Sequence, residues 1–237
     1  MRRVGIIGGM GPEATLDLFK KIIIHTPARK DQDHIPLIID NYPQIPDRTA
    51  FLKGEGENPL PYLLSCIKRL EKIDVDLLCM PCNTAHYFME ELRKSTDIPF
   101  ISMIECVLNE IIFDNKRYLK IGLLATDGTF IGRVYHKVFE KNGFFIKDFD
   151  TDLQRDIMHS IYLLKSKEKS KAIKLFRSCC EKIANEGYDC LIAGCTEIPI
   201  LLEKTDIQKY ITIYDATDIL AKNVVKFCID DSLHKTL

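Results

Sequence analysis

The chain has 237 residues, of which 46% are hydrophobic and 28% are charged, as is ordinary for a globular protein with a buried core. The formal net charge of −1 gives no general attraction to nucleic acid or to anionic membranes, so neither is expected as a partner. No apolar run is long enough to span a bilayer. The apolar stretch after Arg3 is too short for a signal peptide and is interrupted by Pro12 and Glu13, so the sequence predicts a cytoplasmic protein.

Apolar runs with the character of β-strands alternate with amphipathic helical stretches, which is typical of parallel α/β folds. In the first part of the chain, strands are predicted at 4–7, 37–41, 76–80 and 99–103, and helices at 13–24, 61–72 and 86–94. The pattern then restarts, and a further short strand is predicted at 211–214.

The second half of the sequence repeats features of the first. Residues 120–126 resemble residues 3–9, and each half has an apolar run that begins at an aspartate and ends at Cys82 or Cys195. Any doubly wound domain is repetitive, but matching glycine, aspartate and cysteine offsets favour duplication. We therefore predict an α/β fold of two pseudo-symmetric doubly wound parallel-sheet domains, related by internal duplication, with the active site in the cleft between them. The expected domains are 1–100 together with 215–237, and 101–214.

Nine cysteines are present, and most lie inside apolar runs, where reduced core residues are expected. Cys79-Met80-Pro81-Cys82 has the C-x-x-C spacing of some metal and redox sites. On a strand, however, two residues three positions apart point to opposite faces, and the motif does not recur. No metal site is therefore predicted.

A glycine-rich turn between the first strand and the first helix has two interpretations. Residues 9–14 fit the pattern G-x-G-x-x-A, and Asp40 ends the next strand, as in dinucleotide-binding folds. Alternatively, Gly8 and Gly9 open the turn so that Met10 and neighbouring amides line a pocket for a small acid. A nicotinamide-dependent oxidoreductase is the rival that the first interpretation favours, but it leaves the two cysteines without a role.

Cys82 and Cys195 each lie at the end of a predicted strand, where ligands bind in open α/β sheets. A thiolate on one face of a carbon and a thiol on the other could remove a proton and replace it with inversion. A following helix N-terminus is expected to lower the pKa of each thiol, and Asn83, Thr84 and Thr196 could donate hydrogen bonds to a carboxylate. Buried structural cysteines or a disulfide would not explain these polar neighbours.

Five segments together resemble a known family. They are Gly8-Gly9-Met10-Gly11-Pro12-Glu13, Ile45-Pro46-Asp47-Arg48-Thr49, Pro81-Cys82-Asn83-Thr84-Ala85-His86, Leu123-Leu124-Ala125-Thr126-Asp127-Gly128-Thr129 and Gly194-Cys195-Thr196-Glu197. Running in order over nearly the whole chain, they resemble the aspartate/glutamate racemase family, and most closely its aspartate branch. The resemblance implies an enzyme that uses no cofactor, neither pyridoxal phosphate nor a metal, and that forms a homodimer.

The resemblance also implies residue roles and a reaction. It makes Cys82 and Cys195 the opposed catalytic acid and base of an isomerase that interconverts L- and D-aspartate. The substrate-binding residues that it implies are Met10, Arg48, Asn83, Thr84, Ala85, Thr126, Lys165 and Thr196.

Some assignments stay open at this point. Asn83, Thr84 and Thr196 are expected to hold the α-carboxylate, while Arg48, by its bidentate geometry, suits the side-chain carboxylate. His86 is expected to orient or cap the site, and the roles of Asp47 and Glu197 are not decided. A glutamate or broad-specificity racemase and a non-catalytic ligand-binding homologue are the alternatives.

Overall fold

The fold comprises two three-stranded parallel sheets with surrounding helices, in a computed structural model that describes residues 2–114, 116, 118 and 120–230. The first half contains β1 (Val4–Gly8), α1 (Pro12–His25), β2 (Leu37–Asn41), α2 (Arg48–Leu52), α3 (Leu60–Glu71), β3 (Leu77–Cys79) and α4 (Met89–Lys94). A 3-10 helix, Thr84–Phe88, precedes α4, and two shorter 3-10 turns lie at Asp31–Asp33 and Ile207–Lys209.

The second half begins with α5 (Met103–Phe113) and continues with β4 (Ile121–Leu124), the first strand of the second sheet. Its further elements are α6 (Asp127–Ile131), α7 (Val134–Glu140), α8 (Thr151–Lys165), α9 (Lys169–Ala184), β5 (Cys190–Ala193), α10 (Ile198–Leu202), β6 (Thr212–Asp215) and α11 (Ala216–Ile229).

The two sheets have corresponding strand orders. The first is β2-β1-β3 and the second β4-β5-β6. A parallel bridge from Leu78 to Phe100 extends the first sheet beyond β3, and one from Ile121 to Ile146 extends the second beyond β4. With these bridges, β1 corresponds to β4 and β3 to β5, so the predicted duplicated α/β fold is confirmed.

The prediction of a strand at 99–103 is wrong, because only Phe100 pairs with β3, through a single bridge. Ser102 instead caps α5, its hydroxyl accepting a hydrogen bond from the N–H of Glu105 at 3.3 Å. The helix therefore begins at Met103, where the strand was expected to end.

One hydrophobic core is shared by both halves. It contains Ile6 and Leu77 of the first sheet, Leu123 and Ile192 of the second, and apolar residues of α1, α5, α7 and α11. Each sheet also packs its other face in a second core, termed the outer core of its half, the first against α3 and the second against α8 and α9. Helix α11 packs on both α1 and α5. The domain boundaries near residues 100 and 215 stay a prediction, and residues 231–237 of the first domain lie outside the described residues.

The glycine turn after β1 packs tightly against the segment that follows β2. Gly9 has a φ of +92°, and a Cβ there would lie 2.4 Å from the backbone of Tyr42. Its N–H donates to the hydroxyl of Thr15 at 2.9 Å. Glycine is therefore required here for conformation and for space, and the turn leads directly into Met10.

Candidate active site

The segment that carries Cys82 is held in place by a buried histidine. Nε2 of His86 accepts a hydrogen bond from the N–H of Met103 at 3.0 Å, so its proton is on Nδ1, which donates to the carbonyl of Cys82 at 2.8 Å. Burial lowers the pKa of His86 to about 4, and the imidazole is therefore neutral. His86 thus joins the Cys82 segment to the start of α5.

The thiol of Cys195 faces the carboxylate of Glu197. Cys195 follows β5 by two positions, and its Sγ donates to Oε2 of Glu197 at 2.9 Å. The hydroxyl of Thr196 donates to the same oxygen at 3.1 Å. Burial and the negative charge of Glu197 raise the pKa of Cys195 well above its usual value.

This direction corrects the expectation that a helix N-terminus lowers the pKa of Cys195. Helix α10 begins only at Ile198 and has five residues, so its dipole is weak, whereas the carboxylate of Glu197 contacts the thiol directly.

Lys165, the last residue of α8, brings a cation to this side of the site. Its Nζ lies 3.6 Å from Oε1 of Glu197. Burial acts to lower the pKa of Lys165, but the electrostatic influence of the Cys195 sulfur and of the Glu197 carboxylate outweighs it and raises that pKa above its ordinary value. The ammonium is therefore retained.

Arg48 brings the other cation, from the first residue of α2. Its guanidinium donates to the carbonyls of Ile45 at 3.2 Å, Pro46 at 2.9 Å and Met10 at 3.4 Å. Its Nε is buried and has no hydrogen-bond partner among the described residues. The preceding Asp47 caps α2 by accepting from the N–H of Ala50 at 2.8 Å, which gives that aspartate a structural role.

Hydroxyl groups from both halves meet at one point of the site. The hydroxyl of Thr84 lies 2.9 Å from that of Thr126 and 3.0 Å from that of Thr129. All three side chains are buried. Thr84 follows β3, while Thr126 caps α6, so this cluster joins the ends of the two sheets.

Asn83 presents an unpaired amide. Its Oδ1 accepts a hydrogen bond from the hydroxyl of Tyr135 at 2.6 Å, while its buried Nδ2 has no partner in the part of the chain that the structure describes. Together with Nε of Arg48, this gives two buried donors without acceptors.

These residues surround one pocket between the two halves, with an empty volume of about 330 Å³ that is partly open to solvent. Its lining comprises Met10, Asp47, Arg48, Thr49, Cys82, Asn83, Thr84, Thr126, Lys165, Gly194, Cys195, Thr196 and Glu197. Both cysteines are included, as are all the predicted substrate-binding residues except Ala85. The side chain of Ala85 is fully buried in the outer core of the first half and does not line the pocket.

Some contributors were not identified from the sequence. Thr49 lines the pocket, and Thr129 lies directly behind it. Both belong to segments that carry the resemblance, so the motifs offered a signal. Tyr135 lies outside those segments, and only the fold brings its hydroxyl to Asn83.

The metal and dinucleotide interpretations of the sequence depend on the C-x-x-C motif and on Asp40. Among the described residues, no cluster of three His, Cys, Asp or Glu side chains could hold a metal ion. Asp40, the candidate ribose ligand, is paired with Arg69, whose Nε donates to Oδ2 at 2.9 Å. All nine cysteines are free thiols, and none of the helices in the described ranges is long and apolar enough to cross a bilayer.

A family model described as Asp/Glu/Hydantoin racemase matches residues 7–224. The chain belongs to the Asp/Glu/hydantoin racemase family. It is thus an isomerase of the amino-acid racemase type, as the resemblance predicted.

Individual relatives align with most of this chain. The solved structure of Picrophilus torridus aspartate racemase is 28% identical, covers 96% of this chain and 94% of its own, and has a TM-score of 0.83. The broad specificity amino-acid racemase RacX of Bacillus subtilis is 27% identical over 234 residues, 94% of this chain and 96% of its own. A glutamate racemase of Persephonella marina is 29% identical over 187 residues, 77% of this chain and 70% of its own.

Proposed function

We propose that this racemase interconverts L- and D-aspartate without a cofactor, by transfer of the Cα proton between two cysteines. The observation that carries the proposal is a single pocket to which each half contributes a thiol, Cys82 from one side and Cys195 from the other. Arg48 and Lys165 line the same pocket and supply positive charge for a dicarboxylic substrate.

Two unpaired donors support a carboxylate ligand. Nδ2 of Asn83 and Nε of Arg48 are buried without acceptors among the described residues, and such a group loses its hydration without a compensating bond. Substrate carboxylate oxygens would provide those acceptors. We assign the α-carboxylate to Asn83 with Thr84 and Thr196, and the side-chain carboxylate to Arg48.

The proposed proton transfer begins with Cys195 as the protonated thiol and Cys82 as the thiolate. In the resting site Cys195 carries its proton, because its thiol is buried and donates to Glu197. A Cys82 thiolate takes the Cα proton from one face, and the electron pair of the C–H bond delocalises into the bound α-carboxylate. The S–H bond of Cys195 then breaks and its proton is added to the opposite face. The products are the inverted amino acid, a Cys82 thiol and a Cys195 thiolate.

Glu197 and Lys165 serve the second cysteine in this scheme. The carboxylate of Glu197 accepts the hydrogen bond of the thiol and so orients the S–H group that donates to Cα. In the reverse direction the Cys195 thiolate takes the Cα proton and the Cys82 thiol protonates the opposite face. The ammonium of Lys165, 3.6 Å from Glu197, stabilises negative charge on the carboxylate and on the thiolate.

Aspartate is favoured by Arg48 and by the likeness to the Picrophilus torridus enzyme at a TM-score of 0.83. A broad-specificity amino-acid racemase is the second candidate, favoured by the Bacillus subtilis relative that matches 94% of the chain. The homodimer implied by the resemblance stays a prediction.

The test is incubation of the purified, reduced protein with L-aspartate or L-glutamate in deuterated buffer without pyridoxal phosphate. Chiral chromatography with mass detection should find D-aspartate carrying deuterium at Cα. Isomerisation of both acids would select the broad-specificity candidate. If neither acid is isomerised or takes up deuterium, the proposal is wrong and a non-catalytic homologue or another substrate is favoured.

Single variants test the two-cysteine mechanism. Cys82→Ser and Cys195→Ser should each lower the racemisation rate by at least about 10²-fold, because one of the two proton-transfer groups is lost. Each variant could retain exchange of the α-proton of one enantiomer. Cys228→Ser is the matched control, since that partly buried cysteine lies outside the pocket. Near-normal racemisation by either catalytic-site variant would refute the mechanism.

A further inference from the structure

Tyr135 contacts both segments that carry the catalytic-site cysteines. It lies on α7, its side chain is fully buried, and its hydroxyl is 2.6 Å from Oδ1 of Asn83, 52 positions away in the other half. Its ring also packs beside Gly194, where a Cβ would lie 3.3 Å from Cε2 of Tyr135. The ring therefore occupies the space between the residue after Cys82 and the residue before Cys195.

The direction of the Tyr135–Asn83 hydrogen bond is determined by the tyrosine. Burial raises the pKa of Tyr135 well above its ordinary value, so the hydroxyl keeps its proton. Being inaccessible to solvent, that proton needs an acceptor within the protein, and Oδ1 of Asn83 is the acceptor in reach.

The orientation of the amide follows from this bond. With Oδ1 occupied by Tyr135, the NH₂ group of Asn83 is left for a ligand, and Nδ2 is indeed unpaired within the described structure. A flipped amide would place the NH₂ group against the hydroxyl and leave the tyrosine proton without an acceptor. The flip is therefore disfavoured for as long as Tyr135 has its hydroxyl.

We propose that Tyr135 is a positioning residue, which fixes the Asn83 amide so that its Nδ2 donates to a carboxylate of the substrate. The inference rests on the proposed function, because it requires a carboxylate ligand in the pocket. It adds a group that touches neither the substrate nor the thiols, and it makes the second half responsible for the orientation of a binding group in the first.

The test is a double-mutant cycle read out by binding of succinate, a dicarboxylate without an amino group that cannot be racemised. The variants are Tyr135→Phe, Asn83→Ala and their combination, with affinities measured by calorimetry below the unfolding temperature of each. Tyr135→Phe should weaken succinate binding by about ten-fold, and Asn83→Ala at least as much. The double variant should bind no more weakly than Asn83→Ala alone, because Tyr135 acts only through that amide.

Tyr188→Phe is the matched control. Tyr188 is 5% exposed and belongs to the outer core of the second half, away from the pocket lining, so its variant should bind succinate as the unaltered protein does. KM for both aspartate enantiomers should rise in Tyr135→Phe, since both need the same carboxylate contact.

Two results of the cycle would overturn the inference alone: unchanged succinate affinity in Tyr135→Phe, or losses that add in the double variant. Failure of the unaltered protein to bind both succinate and L-aspartate would overturn the proposed function together with the inference, whereas failure to bind succinate alone would overturn only the inference. If the unaltered protein racemises aspartate but the losses of succinate affinity are additive in the cycle, the proposed function is supported and the positioning role of Tyr135 is refuted.

Discussion

His86 stabilises the site as a neutral side chain that donates one hydrogen bond and accepts another. Protonation of its Nε2 would break the bond from the N–H of Met103 and place a charge in a fully buried position. The pKa of about 4 in the folded protein, compared with 6.5 for an ordinary histidine, expresses that cost. The free energy of unfolding therefore depends on pH in part through the protonation of His86.

We expect the free energy of unfolding to fall as the pH is lowered from about 6.5 to about 4, because over this interval the unfolded chain binds the His86 proton and the folded chain does not. The contribution of His86 to this fall is up to about 3 kcal/mol. Urea unfolding at several pH values measures it. His86→Gln should be less stable at neutral pH and should lack this part of the fall.

His159→Gln, at an exposed histidine, is the control and should keep the pH dependence of the unaltered protein. An unchanged slope in His86→Gln would show that other groups cause the acid destabilisation.

At this scale, the sequence predicted those pocket-lining residues that are contiguous with a strand end. Cys82 and Cys195, with the polar residues after them, needed only the local pattern. The raised pKa of Cys195 could not be predicted, because it depends on where the carboxylate of Glu197 points. Ala85 was included with its motif, yet the short 3-10 helix turns its methyl group into the core.

At the scale of elements, the close approach of α2 and α6 brings a cation of the first half to a hydroxyl of the second. A Cβ at Gly128 of α6 would lie 2.7 Å from Oγ1 and 2.9 Å from Cα of Thr49 on α2. Lys53, at the end of α2, pairs with Asp127 of α6 at 2.7 Å. Arg48 and Thr126 flank this contact, so the spacing of the two helices sets the distance between them.

Gly128→Ala should separate α2 from α6, because the added methyl group meets backbone as well as side chain. We expect a loss of about 1–3 kcal/mol in the free energy of unfolding, as for overpacking in general. KM for aspartate should rise at the same time, since Arg48 moves relative to Thr126. Urea unfolding and steady-state kinetics measure both effects.

Gly128→Ser, with a larger side chain, should give larger changes in the same direction. A Gly128→Ala protein with unchanged KM would show that the spacing of α2 and α6 does not control substrate binding.

The order and type of most elements could be predicted, because buried parallel strands and amphipathic helices have clear periodicities. Residues 37–41 form a strand with the predicted bounds. The contribution of α8 could not be judged from the sequence, since Lys165 begins a lysine-rich stretch that looks solvated. Its position in the last turn of α8, beside Glu197, depends on how that helix packs.

At the scale of the whole molecule, the shared core joins the two halves that form the pocket. Leu123 of β4 is fully buried in it, together with residues of β1, β3 and β5. The two sheets are thus stabilised by the same cluster, and neither half can lose its packing there without affecting the other.

We expect the two halves to unfold in a single transition, because they share this core. Leu123→Ala in the shared core and Leu63→Ala in the outer core of the first half should each destabilise the protein by about 2–5 kcal/mol. Circular dichroism and tyrosine fluorescence, followed in urea, should give coincident curves for both variants. Two separated transitions, with only one shifted by Leu63→Ala, would show that the halves unfold independently.

The two thiols lie at corresponding places in the two sheets, but their neighbours differ. Arg48 follows β2 and Lys165 follows the bridge residue Ile146, just as Cys82 and Cys195 follow β3 and β5. Mirror-image amino acids have equal free energies in an achiral solvent, so kcat/KM must be the same for both. The unlike neighbours of the two thiols, Glu197 on one side and His86 on the other, can therefore change kcat and KM for each enantiomer only in proportion. A faster turnover of one enantiomer at saturation is therefore accompanied by a proportionally higher KM for that enantiomer.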